Sequence, residues 1–202
     1  MVAETEIQAA GRPRLAQALS SKTMPPVGAT VTLSFSTIEN KQSPPWDYGF
    51  FDVSRFELQA SDDSLPTDED VIQNFIGSPT YQRSFCESPD PWGAPIDRHG
   101  PFPTEHISNG WYQLIAAAEL PQRIEQAIND AGFDSPPDKE QMRSVNSWVA
   151  IITSRGDTIF ALVPPEADDV RVEWAHVWFA FTEFICVDRQ TRKLEVAVIG
   201  YD

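Results

Sequence analysis

Residues 170–202 read VRVEWAHVWFAFTEFICVDRQTRKLEVAVIGYD, and this stretch decides the fold. Two apolar runs flank a polar turn at 188–193, DRQTRK. The first run is rich in Val, Trp and Phe, and the second alternates along LEVAVI at 194–199. This pattern predicts a β-hairpin with at least one buried face. Residues 172–186 also show a helical spacing, but their β-branched and aromatic content and the turn that follows favour a strand.

Four more strands are predicted outside this hairpin. Residues 27–38 alternate apolar and polar side chains, and residues 50–60 form a second strand that is close enough to pair with the first. The alternation slips near Ser54 and Arg55, which indicates a bulge. Residues 147–152 and 158–163 predict another hairpin, whose turn contains Gly156.

Helices are predicted between the strands. Thr67 precedes three acidic residues and an apolar face, which is typical of a capped helix start, and Gly77 ends this short helix. Residues 111–120 and 121–131 show helical spacing, with Pro121 suited to a first helical position. The sequence therefore predicts an α+β fold, with an antiparallel sheet built from N-terminal and C-terminal β-hairpins and helices packed on one face.

The chain is expected to form one α+β domain over residues 27–202. Residues 1–26 are weakly patterned and are interpreted as a tail or a short docking helix, in part disordered. The opening residues, MVAETEIQAAG, lack the pattern of a secretory signal, and every apolar run is far too short to span a bilayer. We therefore expect a soluble cytoplasmic protein in which Cys86 and Cys186 are free thiols.

The chain is acidic, which most commonly serves solubility, and its charge is unevenly distributed. The net charge is −15, and residues 61–140 hold most of it, with 4 basic and 15 acidic residues. Such a field repels nucleic acid and anionic membranes and attracts a protein partner with a basic surface. The candidate partner-binding residues are an acidic group and one tryptophan of a Pro-rich loop: Asp62, Asp63, Asp68, Glu69, Asp70 and Trp92.

The loop at 92–111 collects the residues that could carry chemistry. Asp97, His99, Glu105 and His106 offer nitrogen and oxygen ligands for a metal, or a histidine base with a carboxylate behind it. Their spacing matches no known site, however, and only three histidines occur in the chain. The favoured interpretation is that these residues cap turns and face water, and no cofactor or metal is expected.

Two functions remain open. The favoured hypothesis is an acidic, soluble, non-enzymatic binding protein of the immunity or inhibitor type, or a subunit of an assembly. The alternative is a small hydrolase or metal-dependent enzyme with its site in the loop at 92–111. Neither a Gly-x-Ser-x-Gly nucleophile motif nor a Gly-rich phosphate loop occurs in the sequence, which favours the first hypothesis.

Overall fold

The computed structural model describes residues 33–42, 46, 49–60, 65–82, 97–130, 137–166 and 180–201. The strands of this part are β1 (Leu33–Gln42), β2 (Gly49–Ala60), β3 (Arg98–His99), β4 (Phe102–Pro103), β5 (Tyr112–Ile115), β6 (Thr158–Leu162), β7 (Ala180–Asp188) and β8 (Lys193–Tyr201). Its α-helices are α1 (Asp68–Ile76), α2 (Leu120–Asp130) and α3 (Lys139–Arg155). Predictions for residues 1–26 and for the apolar run at 170–179 lie outside the described residues.

Six strands form one antiparallel sheet in the order β1-β2-β8-β7-β6-β5, and β3 pairs with β4 in a separate small hairpin. The predicted C-terminal hairpin is confirmed over its described part, because β7 pairs with β8 from Ala180 opposite Tyr201 to Asp188 opposite Lys193. The predicted N-terminal pair is confirmed as β1 and β2. The α+β class is therefore confirmed.

The helices cover both faces of this sheet, so the prediction that they pack on one face is wrong. Val196 and Val198 of β8 belong to the apolar cluster that contains α1. Their neighbours Ala197 and Ile199 belong to the cluster that contains α2 and α3. The reason is that β8 is apolar on both faces, and each apolar face must be covered to be removed from water.

The predicted bulge near Ser54 and Arg55 occurs on the partner strand. Thr37 of β1 lies opposite Phe56, and Glu39 lies opposite Arg55, so Ile38 is the extra residue. The side chains of β2 alternate between the two faces of the sheet without interruption. The apparent slip arises because polar residues of β2 lie on both faces. An extra residue on an edge strand is a common way to bend and terminate its pairing.

Helix α1 begins as predicted. The Thr67 side chain accepts a hydrogen bond from the Asp70 backbone N–H at 3.2 Å, and the helix ends before Gly77. Its apolar face packs on the sheet, and the rings of Phe75 and Phe35 meet edge to face with their centroids 5.0 Å apart. This helix therefore covers the outer part of one sheet face.

The prediction of a hairpin at 147–163 is half wrong, because residues 139–155 are helix α3. Asp138 and Gln141 form a capping box, in which each side chain accepts a hydrogen bond from the other's backbone N–H. Val145, Trp148 and Ile152 then fall on one buried helical face. Gly156 has the positive φ that was predicted, but it ends this helix rather than turning a hairpin.

Residues 111–120 are also reassigned. Tyr112–Ile115 is edge strand β5, which pairs with β6 from Tyr112 opposite Leu162 to Ile115 opposite Ile159. Short 3₁₀ turns flank this strand, and α2 follows at Leu120–Asp130, close to the second predicted helix. Pairing with β6 satisfies the backbone of a segment that is too short for a stable helix. Among the described helices, none has the length and apolarity needed to cross a membrane.

Candidate functional site

A cluster of four polar residues is buried on the α1 side of the sheet, where the β3–β4 hairpin covers β7. His99 ends β3, and Glu183 lies in β7, between β6 and β8. Their side chains are 2 % and 0 % exposed. Tyr81 and Tyr112 are buried beside them. These four residues are called the buried polar cluster below.

The hydrogen bonds of the buried polar cluster fix three of its protons, those on the two phenols and on His99 Nδ1. The Tyr112 hydroxyl donates to Glu183 Oε1 at 2.6 Å, and Glu183 Oε2 contacts His99 Nε2. Because Tyr112 has a single proton, the Tyr81 hydroxyl must donate across the 2.6 Å that separates the two phenols. His99 Nδ1 donates to the Tyr81 carbonyl oxygen at 2.5 Å, since a carbonyl only accepts.

These contacts decide what His99 can do. Both of its ring nitrogens are engaged, and its ring stacks on Tyr81 with centroids 3.8 Å apart and planes 4° from parallel. The histidine therefore offers no ring nitrogen to a metal or to a substrate in this arrangement. A cavity of about 170 Å³ is lined by His99 and Tyr81 together with the polar residues Thr37, Asn40, Ser54 and Thr80.

The two phenols stay protonated in this environment. Burial raises the pKa of Tyr112 well above its usual range, and the nearby Glu183 carboxylate raises it further. Burial and the same carboxylate also raise the pKa of Tyr81. Both hydroxyls therefore remain hydrogen-bond donors across the physiological pH range.

The other candidates of the loop do not join His99. His106 Nε2 lies 3.8 Å from Glu105 Oε1, and their side chains are 41 % and 82 % exposed. The Asp97 side chain is exposed, and its backbone oxygen accepts hydrogen bonds from Thr104. The interpretation that these residues face water fits Asp97, Glu105 and His106, and it is wrong for His99, which the β3–β4 hairpin carries into the core. In the described part of the chain, no three His, Cys, Asp or Glu side chains are grouped as metal ligands.

The predicted partner-binding residues are described only in part. Asp62, Asp63 and Trp92 lie outside the described residues. Arg189 Nη1 donates to Asp68 Oδ1 at 2.8 Å and to the Pro66 carbonyl oxygen at 2.7 Å, so Asp68 is neutralised within the chain. Glu69 and Asp70 are exposed in the first turn of α1.

A second buried carboxylate lies on the opposite face of the sheet. Glu195 of β8 is 1 % exposed and accepts hydrogen bonds from Arg155 Nη1 at 2.7 Å and from Trp148 Nε1 at 3.1 Å. Arg55 Nε lies 3.2 Å from Glu195 Oε2, the oxygen that also accepts from Trp148. Burial alone would lower the pKa of Arg155, but Asp157 and Glu195 raise it above its ordinary value. This ion-pair network fastens α3 to the sheet.

Sequence reasoning missed the residues that matter most in both networks. Glu183 and Glu195 interrupt the two apolar runs of the C-terminal hairpin, and this was the available signal, because a buried carboxylate demands partners. The prediction for Cys186 is met, since the thiol is free and buried, and burial raises its pKa. Cys86 lies outside the described residues.

Comparison of the chain with models of known protein families, with curated proteins and with solved structures finds no significant match.

Proposed function

We propose that this protein is an acidic, non-enzymatic binding protein, of the immunity or inhibitor type or a subunit of an assembly. In this proposal it works in the cytoplasm and engages a protein partner with a basic surface. The acidic excess of residues 61–140 supports this choice of partner over nucleic acid or membrane.

The distribution of ion pairs carries the proposal. Four arginines of the described part, Arg55, Arg123, Arg155 and Arg189, contact carboxylates of the same chain. Glu69, Glu125, Glu140 and Glu166, by contrast, have no ion pair to any described residue and lie at the surface. These four arginines are therefore paired within the molecule, and the four glutamates leave unpaired negative charge at its surface.

This residual charge is suited to recognition. Unpaired surface carboxylates attract a basic partner over a range of about 8 Å at physiological salt, and they chiefly raise the association rate. The proposed contact face comprises Glu69 and Asp70 in the first turn of α1, with Asp62, Asp63 and Trp92. Asp68 contributes less, because Arg189 already pairs with it.

The test begins with the partner. The tagged full chain is used to copurify it from the native host, and the partner is identified by mass spectrometry and then purified. Its association rate is measured by stopped flow from low to high salt. We expect the rate to fall steeply as salt rises, while dissociation changes little.

A matched pair of variants locates the contact. Glu69→Lys and Glu140→Lys each reverse one exposed charge in the first turn of a helix, so both incur a similar cost from the helix dipole. Only Glu69→Lys should slow association. Equal effects of the two variants, or a rate indifferent to salt, would remove the acidic contact face and leave the charge as a solubility device.

The enzyme alternative receives less support. Of the loop candidates, His99 lies at a polar cavity but has both ring nitrogens engaged. His106 is exposed and apart from it. Metal analysis of the purified protein tests this alternative directly. Stoichiometric zinc that is lost in a stable His106→Ala variant would favour the enzyme.

A further inference from the structure

A groove lies on the face of the sheet that packs against α3, between this helix and the outer strands β1 and β2. Its floor comes from Lys41 of β1 and from Val53 and Arg55 of β2. Its wall is one face of α3, which supplies Arg143, Ser144, Ser147, Trp148 and Ile151. This basic groove is separate from the buried polar cluster, which lies across the sheet.

The charges of the basic groove are opposite to those of the molecule as a whole. Lys41, Arg55 and Arg143 line it, and none of the described residues that line it carries a carboxylate. Lys41 and Arg143 are exposed, and neither makes an ion pair with any described residue. The chain has a net charge of −15, and Arg123, Arg155 and Arg189 are paired with carboxylates. Two unpaired cations at one concave site therefore call for an explanation.

Arg55 is the fixed member of the three. The Nε of Arg55 lies 3.2 Å from a Glu195 oxygen, and its Nη1 contacts the Glu39 carboxylate. Neither carboxylate lines the groove, so they orient the guanidinium without filling the site. Glu195 is itself held by Arg155 and Trp148. A guanidinium fixed in this way loses little conformational entropy when it binds an anion.

Size and donor type restrict the ligand. The groove has a volume of about 190 Å³, which is below the ~300–1,000 Å³ of clefts that bind drug-sized ligands. Its polar groups are three cations and two serine hydroxyls, all of which can donate hydrogen bonds. Several donors that converge on a small volume match a compact oxyanion with several acceptor oxygens, and guanidinium forks suit phosphate in particular.

We propose that the basic groove binds a phosphate group, either as inorganic phosphate or carried by a small phosphomonoester. Arg55, whose charge is already paired with Glu39 and Glu195, supplies an oriented hydrogen bond, and Lys41 and Arg143 supply the net positive charge. The hydroxyls of Ser144 and Ser147 donate to the phosphate oxygens. The site is independent of the proposed acidic contact face, which lies at the start of α1.

Calorimetric titration of the full chain at constant ionic strength tests this site. The probes are inorganic phosphate, glucose 6-phosphate and, as a carboxylate monoanion, acetate. We expect saturable one-to-one binding of at least one phosphate probe and much weaker binding of acetate. Tighter binding of inorganic phosphate identifies the free anion as ligand, and tighter binding of glucose 6-phosphate identifies a phosphomonoester.

Variants connect the binding to the groove. Lys41→Gln with Arg143→Gln removes the two unpaired cations and leaves the Arg55 network intact, so the protein should fold normally. Loss of their charge-assisted hydrogen bonds should weaken phosphate binding by about tenfold or more. Arg123→Gln on α2 is the control, because it removes one exposed charge elsewhere and should leave binding unchanged. Absence of saturable phosphate binding, equal binding of acetate, or equal affinity in the double variant would each overturn the proposal.

Discussion

Glu183 and His99, which are 84 positions apart in the sequence, share a hydrogen bond in the interior between Oε2 and Nε2. The contact joins the short β3–β4 hairpin to the middle of the large sheet. Tyr112 of the edge strand β5 donates to the same carboxylate at 2.6 Å. One buried carboxylate therefore connects a loop, an edge strand and a central strand, and its loss should loosen all three.

Replacement of His99 should cost far more stability than replacement of His106. His99→Ala leaves the Glu183 carboxylate buried with one of its two partners missing, and breaking such a pair costs about 3 kcal/mol. His106 is exposed, so His106→Ala should change the free energy of unfolding by less than about 0.5 kcal/mol. Urea denaturation of both variants measures the difference, and equal stabilities would show that the buried polar cluster contributes nothing.

The buried phenols should make the protein sensitive to alkali. Burial raises the folded-state pKa of Tyr112, so above about pH 10 the unfolded chain releases this proton while the folded chain retains it. The free energy of unfolding therefore falls as pH rises above that value. In Tyr112→Phe we expect this decline to be shallower by about 1 kcal/mol per pH unit. Parallel declines of the two proteins above pH 10, measured by urea denaturation, would contradict the argument.

The parts of the fold that were predictable have short-range signals. The hairpin of β7 and β8 follows from two apolar runs and a polar turn, and α1 follows from its cap at Thr67. The part of α3 at 147–152 is predicted as strand because the capping box that starts this helix lies nine residues earlier, at Asp138. The strand at Tyr112–Ile115 was missed because its pairing partner, β6, lies more than forty residues away.

Only one member of the buried polar cluster, His99, is among the candidates that the sequence predicts in the loop at 92–111. Its environment depends on Glu183 and Tyr81, which approach from other parts of the chain, and no local pattern encodes such contacts. The basic groove has the same origin, since Lys41 and Arg143 are about one hundred residues apart and meet only through the packing of α3 on β2.

Two glycines with positive φ should respond differently to alanine. At Gly100, where φ is 54°, a Cβ would lie 2.4 Å from the Phe181 ring, whereas at Gly156, where φ is 75°, nothing lies within 4 Å. Gly156→Ala therefore incurs only backbone strain of about 1 kcal/mol. Gly100→Ala adds overpacking of about 1–3 kcal/mol, because Phe181 is itself packed against the core. Thermal unfolding of the two variants compares these costs, and equal melting temperatures would mean that the Phe181 ring can move aside freely.

An aspartate introduced into the sheet should distinguish its core from its edge. Val196→Asp places an unpaired carboxylate at a position that is 4 % exposed, which should abolish cooperative folding, and Phe181→Asp should act in the same direction. Leu114→Asp makes a comparable change on edge strand β5, where the side chain is 67 % exposed, and should leave the fold intact. Circular dichroism during heating separates the outcomes. A normal cooperative transition for Val196→Asp would mean that Val196 does not belong to the apolar cluster that contains α1.

The free energy of unfolding should depend on pH in the acid range because of Asp188, which lies at the turn between β7 and β8. Burial alone would raise the pKa of this carboxyl, but hydrogen bonds from the Thr191 hydroxyl at 2.5 Å and backbone N–H at 3.0 Å lower it below its usual value. A lowered folded-state pKa stabilises the fold above the unfolded value of about 3.9, and this contribution disappears as pH falls through the folded value. Asp188→Asn should therefore be less stable than the unmodified protein by about 1 kcal/mol at neutral pH. Urea denaturation from pH 7 down to the acid transition should show the gap closing, because protonation of Asp188 removes the same charge that the substitution removes. A gap that stays constant across this range would show that the asparagine acts through packing rather than through the ionised carboxylate.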